Sequence, residues 1–429
     1  MKITKKKISY GFATRAIHSG AAPEAITGAR NTPIYQTTSY VFKNTKHAER
    51  LFKLEDFGFI YSRLTNPTVS VLEERLANLE NSRAAVACSS GHASQQLVFT
   101  SLLDKDDHFI ASNKLYGGSI NQFNKTFKKF GWNCSFVDPD NLKNFENAIK
   151  KNTKLIFIET LSNPDGSIVD IEGVSKIAAK YHIPLVVDNT LATPFLHNPA
   201  DWGANIITHS LTKFICGNGT SMGGIVIDCG NFNFLKDDKY PGLSQPDHSY
   251  NNIRFSETFG DFGFAMKVKA DTLRDLGCSL SPQNAFYILN GIETMNLRMR
   301  KHSENALKVA QYLQGHSKIN SVSYAGLKNN QYYNLGKKYF PNGLGSIFTI
   351  KLKNGYKACV SMVEKVNLLS HVANVGDTRS LIIHPASTTH SQLTDKEKIQ
   401  AGAGPDVIRL SIGLEDVEDI ILDLENSIN

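Results

Sequence analysis

The sequence predicts an α/β protein: a mostly parallel sheet covered on both faces by helices, followed by a smaller α+β domain toward the C-terminus. Three observations carry this. From about residue 66, short apolar runs alternate with helical stretches, the pattern of strand–helix crossovers. The runs are apolar at consecutive positions, as strands buried on both faces require. Beyond the helical run that ends near Leu313, strands and helices no longer alternate in the same way, which marks a second unit.

The elements follow in order. "NPTVSVLEERLANLE" opens with Asn66 as N-cap and Pro67 at the first helical position, then spaces Val69, Leu72, Leu76 and Leu79 along one face. "AAVACSSG" reads as a strand ending in small residues, and "HASQQLVFTSLL" as the helix after it. "DHFIAS", "CSFVD", "KLIFIET" and "PLVVDNT" read as buried strands, with "GVSKIAAKYH" the clearest helix between them. A long irregular stretch, "FLKDDKYPGLSQPDHSYNNIRFSETFG", precedes a helical run from about Pro282 to Leu313. Then "INSVSYAG", "GSIFTIKL", "SLIIHP" and "VIRLSIGL" read as strands, "KACVSMVEKV" and "VEDIILDLENSI" as helices, with the domain boundary inside or near the long helix.

At 429 residues the chain can hold two domains and a large core. Its formal charge is +7, but "MKITKKK" supplies four lysines; without them 43 basic residues face 40 acidic ones. That balance describes a basic tail and excludes a dedicated nucleic-acid face. No apolar run approaches a membrane span and the N-terminus lacks a signal-peptide core, so the chain reads as cytosolic. Six cysteines without a CxxC pair, and thirteen histidines without HExxH, give no support to a disulfide framework or a metal site. Cys216, three residues after Lys213, is a thiol to note, with a buried small hydrophobe the plainer reading.

Polar residues cluster just after the strands, at Ser89-Ser90-Gly91, Glu159, Asp188 and His209-Ser210. In open α/β sheets ligands sit beyond the carboxyl ends of the strands, so these residues should share one crevice. Lys213 is the only formally charged residue of "ITHSLTKFICGNGTSMGGIVI". Such a lysine either snorkels to water or, if desolvated, becomes a neutral amine able to form a Schiff base. Gly91 sits between strand and helix, where backbone N–H groups hold a phosphate, or where a tight turn simply needs glycine. Ser210 and Thr212 could add hydroxyls to the same phosphate. Asp188 ends an apolar strand and either caps the next helix or faces a cation. Tyr61 and Arg63 in "YSRLTNPT" offer an anion fork or a surface arginine, and Tyr116 in "KLYGGS" a stacking ring or plain packing. A buried lysine, a buried acid and a phosphate nest together match the needs of pyridoxal 5'-phosphate.

"YSRLTNPT", "SSGHAS", "LYGG", "ETLSNP", "VVDNT", "HSLTKF", "HPASTTH" and "IRLSIGLED" occur in the order and spacing of the pyridoxal-phosphate enzymes of cysteine and methionine metabolism. From about Ala13 to Asp416 the chain resembles this cystathionine γ-synthase-like family. "YNNIRFSETFG", "LRDLGCSLSPQNAF" and "NVGDTRSLIIHPASTTH" resemble its O-acetylhomoserine sulfhydrylase branch.

The resemblance implies a fold-type I transferase with a seven-stranded sheet in the large domain. Residues 1–60 would contact a neighbouring subunit, 61–290 form the cofactor-binding domain, and 291–429 the C-terminal domain. It implies Lys213 as the Schiff-base lysine and Asp188 as the pyridinium partner. Ser90, Gly91, His92, Ser210 and Thr212 would lie at the phosphate, Tyr116 on the ring as second acid/base, and Asn163 near the cofactor hydroxyl. Arg409, with Asn163 and Asn374, would take the substrate. Tyr61 and Arg63 would reach the phosphate of a neighbouring subunit, in a homotetramer built from catalytic dimers. The implied reaction is γ-replacement on O-acetyl-L-homoserine by sulfide or methanethiol. The alternatives are a methionine γ-lyase, a cystathionine γ-synthase, or a colourless scaffold with a relic site. Asn218, Asn374 and Arg379 depart from common family residues and are expected near the substrate, while His384 and His390 are expected to be structural.

Overall fold

The computed structural model describes residues 10–428; "MKITKKK" lies outside them. Seven strands form the larger sheet: β1 (Ala84–Cys88), β2 (His108–Ser112), β3 (Asn133–Val137), β4 (Thr153–Glu159), β5 (Leu185–Asp188), β6 (Ile206–Ser210) and β7 (Gly224–Asp228). Their spatial order is β1-β7-β6-β5-β4-β2-β3. β3, β2, β4, β5 and β6 run parallel, while β7 runs antiparallel to both its neighbours. Alternate residues of one strand feed two cores. Ile156 and Ile158 join Leu72, Leu76 and Val187 on one face, whereas Leu155 and Phe157 join Phe99, Phe109 and Val186 on the other. Burial on both faces is why the strands read as unbroken apolar runs.

The helix Pro67–Leu79 begins as its sequence requires: the Asn66 side chain accepts the N–H groups of Thr68 and Val69, with Pro67 in the first turn. Val69, Leu72, Leu76 and Leu79 are all buried. The helix Gly91–Leu102 follows β1, with the Ser90 side chain accepting from the Ala93 N–H. The irregular stretch forms short helices, Pro241–Ser244 and Phe255–Phe259 among them, held by buried Tyr240, Leu243, Tyr250 and Phe255.

The smaller sheet has the order β10-β11-β12-β9-β8, from β8 (Ile319–Ser323), β9 (Ile347–Leu352), β10 (Ser370–His371), β11 (Leu381–Ile383) and β12 (Val407–Ser411). The helical run expected from Pro282 is two helices, Pro282–Glu293 and Met295–Gly315, separated by Thr294 at φ −108°, ψ 6°. The second joins the domains: its Met295 and Met299 pack in the large core, its Ala306, Val309 and Leu313 in the small one. Among the described residues no helix is long and apolar enough to cross a membrane.

Candidate active site

The carboxyl ends of β4, β5 and β6 open into a cavity of ≈ 290 Å³ closed on its far side by the small domain. The parallel strands place Glu159 beside Asp188 in register, and Ser210 ends the next strand. Ser90, Gly91, His92, Tyr116, Asn163, Asp188, Ser210, Thr212, Lys213, Asn374 and Arg409, drawn from positions between the end of β1 and β12, all line this one cavity. The crevice expected from the strand ends holds Ser90, Gly91, Glu159, Asp188 and Ser210, but not Ser89 or His209, whose ring is instead buried against Glu80 at 2.7 Å.

Lys213 lies three residues beyond β6, and its Nζ donates to Asn374 Oδ1 at 2.6 Å. Burial, with the Arg409 charge adding to it, lowers its pKa to about 8. The amine thus turns into the cavity and is no snorkelling ammonium. Asp188 Oδ1 accepts the Thr190 N–H at 3.0 Å, and Oδ2 lies 3.5 Å from Gln95 Nε2. Neither bond gives this carboxylate a cation.

Arg409, on β12, is 3% exposed. Its Nη1 donates to Asn163 Oδ1 at 3.2 Å and its Nη2 to the Asn374 carbonyl at 2.7 Å, while its buried Nε has no partner among the described residues. Burial lowers its pKa to about 10, which leaves it cationic at neutral pH. Asn374 thus touches the lysine with its side chain and the arginine with its backbone.

The phosphate-type elements are also present. The first N–H groups of the helix at Gly91 have no intrahelical acceptor, and the helix dipole favours an anion there. A Cβ on Gly91 would stand 2.8 Å from Ser210 Cβ, so glycine is needed for the two segments to meet. Ser210 is anchored through its N–H to Thr190 Oγ1 at 2.8 Å. The Thr212 hydroxyl is engaged by Gly223, donating to its carbonyl and accepting its N–H. Tyr116 is half exposed, its ring tilted 45° to His92 at 5.8 Å.

Some expected residues stand elsewhere. Tyr61 and Arg63 do not line this cavity: Arg63 donates to the Arg274 carbonyl and stacks over Tyr61 at 5.6 Å. Among the three unusual positions only Asn374 reaches the cavity. Arg379 is turned outward onto Asp377 at 3.0 Å, and Asn218 accepts from Cys216 and Thr220, so the expectation that both lie near the substrate is corrected. Both side chains are engaged by hydrogen bonds within their own turns. His384 is tied to Ser387 and the Pro405 carbonyl, a structural arrangement.

Among the lining residues, Gln95, Thr190 and Met222 were not anticipated from sequence, and Glu159 was expected in the crevice without a specific role. Gln95 bonds Ser119 and approaches Asp188; Thr190 holds both Asp188 and Ser210. Glu159 accepts the Tyr116 N–H at 2.7 Å, and Met222 closes an edge. Gln95 was findable, because it stands four residues after Gly91 and so faces the same side of the helix.

The residues present fit pyridoxal phosphate. A carboxylate without a cation, an amine shifted toward neutrality and an unsatisfied helix start share one cavity, and these are the complements of a cationic ring, an aldehyde and a phosphate.

Comparison with known proteins agrees with this chemistry. The chain is 46% identical to an O-acetyl-L-homoserine sulfhydrylase of Leptospira meyeri, covering 97% of this chain and 96% of the relative. It is 42% identical to O-acetyl-L-homoserine sulfhydrylase 1 of Thermus thermophilus, covering 97% and 99%. A crystal structure from Campylobacter jejuni, provisionally assigned as an O-acetylhomoserine (thiol)-lyase and containing N'-pyridoxyl-lysine-5'-monophosphate, superposes with a TM-score of 0.95. That structure is 42% identical, covering 98% of this chain and 100% of its own. The family described as Cys/Met metabolism PLP-dependent enzyme matches residues 13–429, and this chain belongs to it.

Proposed function

We propose that this enzyme carries out γ-replacement on O-acetyl-L-homoserine, exchanging acetate for sulfide or methanethiol to give L-homocysteine or L-methionine. The observation that carries the reading is the meeting of Lys213, Asp188 and Arg409 in one cavity of a chain that matches sulfhydrylases over nearly its whole length.

In this reading Lys213 holds the cofactor and Asp188 faces its ring nitrogen. The N–H groups of Gly91 and His92, with the Ser90, Ser210 and Thr212 hydroxyls, hold the phosphate. Tyr116 lies against the ring and Asn163 beside its hydroxyl. When bound, pyridoxal phosphate supplies an electron sink that makes protons at Cα and Cβ of an amino acid removable. Arg409 takes the substrate carboxylate with its planar fork, held at the right depth by Asn163 and the Asn374 carbonyl. That anchor sets Cα beside Lys213 Nζ, whose lowered pKa suits it to take up the Cα proton and return it. The Tyr116 hydroxyl serves as second acid/base. Leu161, Leu191 and Val375 line the cavity and exclude water from the departing acetate.

Tyr61 and Arg63 reach the phosphate of a neighbouring subunit in this reading, in a cytoplasmic homotetramer of catalytic dimers. Residues 1–60 meet the neighbour, 61–290 bind the cofactor and 291–429 form the C-terminal domain. The exposed apolar side chains of Val41, Phe52, Phe57 and Phe59 support such a contact. Product analysis tests the function. Homocysteine from O-acetylhomoserine plus sulfide is expected; methanethiol released from methionine alone, or cystathionine formed with cysteine as the better nucleophile, would transfer the chain to the γ-lyase or γ-synthase reading.

A further inference from the structure

Glu159 ends β4 and is 5% exposed at the floor of the cavity. Its two carboxyl oxygens are divided between two loops. Oε1 accepts the Tyr116 N–H at 2.7 Å, from the loop after β2; Oε2 accepts the Asn163 N–H at 3.3 Å, from the loop after β4. Burial, and then the charge of Asp188 in register beside it, raise its pKa well above the usual range. An acid kept in so unfavourable a place calls for a role that an apolar side chain of equal size would not meet.

The Tyr116 turn is closed by its own carbonyl, which accepts the Ser119 and Ile120 N–H groups, and its ring lies beside His92. Gly117 and Gly118 follow Tyr116, and a Cβ on Gly118 would stand 2.3 Å from Tyr116 Cε1, so the ring lies folded over a residue without a side chain. A Cβ on Gly117 would stand 2.8 Å from the Thr389 carbonyl, which confines the turn from the other side. Glu159 holds the backbone N–H from which this turn starts, and so the Cα that carries the ring. Asn163 is the residue whose side chain receives Arg409.

We infer that Glu159 is a positioning residue of the reaction: its carboxyl ties the Tyr116 turn to the Asn163 loop, so that the phenol and the Arg409 support keep a fixed separation across the bound cofactor. The inference rests on the proposed function for its chemistry and not for its test, because the cofactor itself reports the geometry.

The experiment compares Glu159→Gln and Glu159→Leu with wild type, all loaded with pyridoxal phosphate. Three quantities are read: visible-region circular dichroism of the bound cofactor, its dissociation rate, and the kcat and KM for homocysteine formation. Unfolding midpoints of the cofactor-free proteins are measured alongside. Glu159→Leu, with both acceptors gone, is expected to weaken the dichroism, speed cofactor loss and lower kcat by about tenfold to a hundredfold. Glu159→Gln keeps one acceptor and is expected to fall between the two. Unchanged dichroism and dissociation in both variants overturn the inference. So does a Glu159→Gln protein identical to wild type, and that comparison suffices if the leucine variant does not fold. A wild type that makes no homocysteine, with variants that still alter the dichroism, sinks the proposed function and leaves this inference standing.

Discussion

Replacing Arg409 by lysine keeps the positive charge and removes the fork. Arg409 Nη1 and Nη2 are each already committed to a neighbouring oxygen, Asn163 Oδ1 and the Asn374 carbonyl, and its buried Nε has no partner among the described residues. The guanidinium therefore keeps its plane fixed by two bonds while its remaining N–H donors are free for a carboxylate. A lysine ammonium cannot hold both protein oxygens and also present two parallel donors. Losing one charge-assisted hydrogen bond costs about 1.5–3 kcal/mol, equivalent to roughly 10- to 150-fold in affinity. Because this contact is made equally before and during reaction, the loss should fall on KM for O-acetylhomoserine and leave kcat little changed. Initial rates of homocysteine formation at fixed sulfide and varied O-acetylhomoserine measure it. A KM within a factor of about two of wild type would refute the assignment of Arg409 as the carboxylate anchor.

Burial and the Arg409 charge both favour the neutral amine of Lys213, which sheds its proton near pH 8 instead of the usual 10.5. Capture of pyridoxal phosphate by cofactor-free enzyme should therefore accelerate about tenfold per pH unit below 8 and level off above it; a rate still climbing toward pH 10 would contradict this. Gly217→Ala introduces a Cβ 1.9 Å from Arg298 Nη1 at a residue with φ +81°. Since that guanidinium ties the Phe214 and Ile215 carbonyls just after Lys213 to the Gly291 carbonyl of the helix Pro282–Glu293, the variant should lose about 2–4 kcal/mol in urea unfolding. An unaltered midpoint would show that the segment relaxes freely. Arg63→Ala and Lys213→Ala should each be inactive, yet after mixing and reassembly roughly a quarter of the wild-type sites should work, if Arg63 serves the neighbour's cavity. Failure of the mixture to regain activity would remove Arg63 from that role.

What could be read from the sequence follows from what is local. The parallel strands announced themselves because burial on both faces leaves continuous apolar runs such as Leu155–Ile158, and the helix at Pro67 because its cap and periodicity lie within one segment. Lys213, Asp188 and Gly91 were legible because each stands at or just past a strand end, where ligands sit in this fold. The break at Thr294 was not, since it carries neither glycine nor proline and its conformation is set by packing between two cores. β10 is two residues long and has no pattern to read. The contact of Glu159 with Tyr116 joins residues 43 positions apart on neighbouring loops, a distance that only the fold closes. Arg379 and Asn218 do not line the cavity, and their side chains bond Asp377 and Thr220 within their own turns, partners that the sequence does not single out.

The central claim is that the Lys213 amine carries the cofactor opposite Asp188. Borohydride reduction of loaded enzyme followed by peptide mapping tests it most directly. The account predicts a single pyridoxyl adduct, on the peptide containing Lys213; an adduct on any other lysine, or none in fully loaded protein, would contradict it.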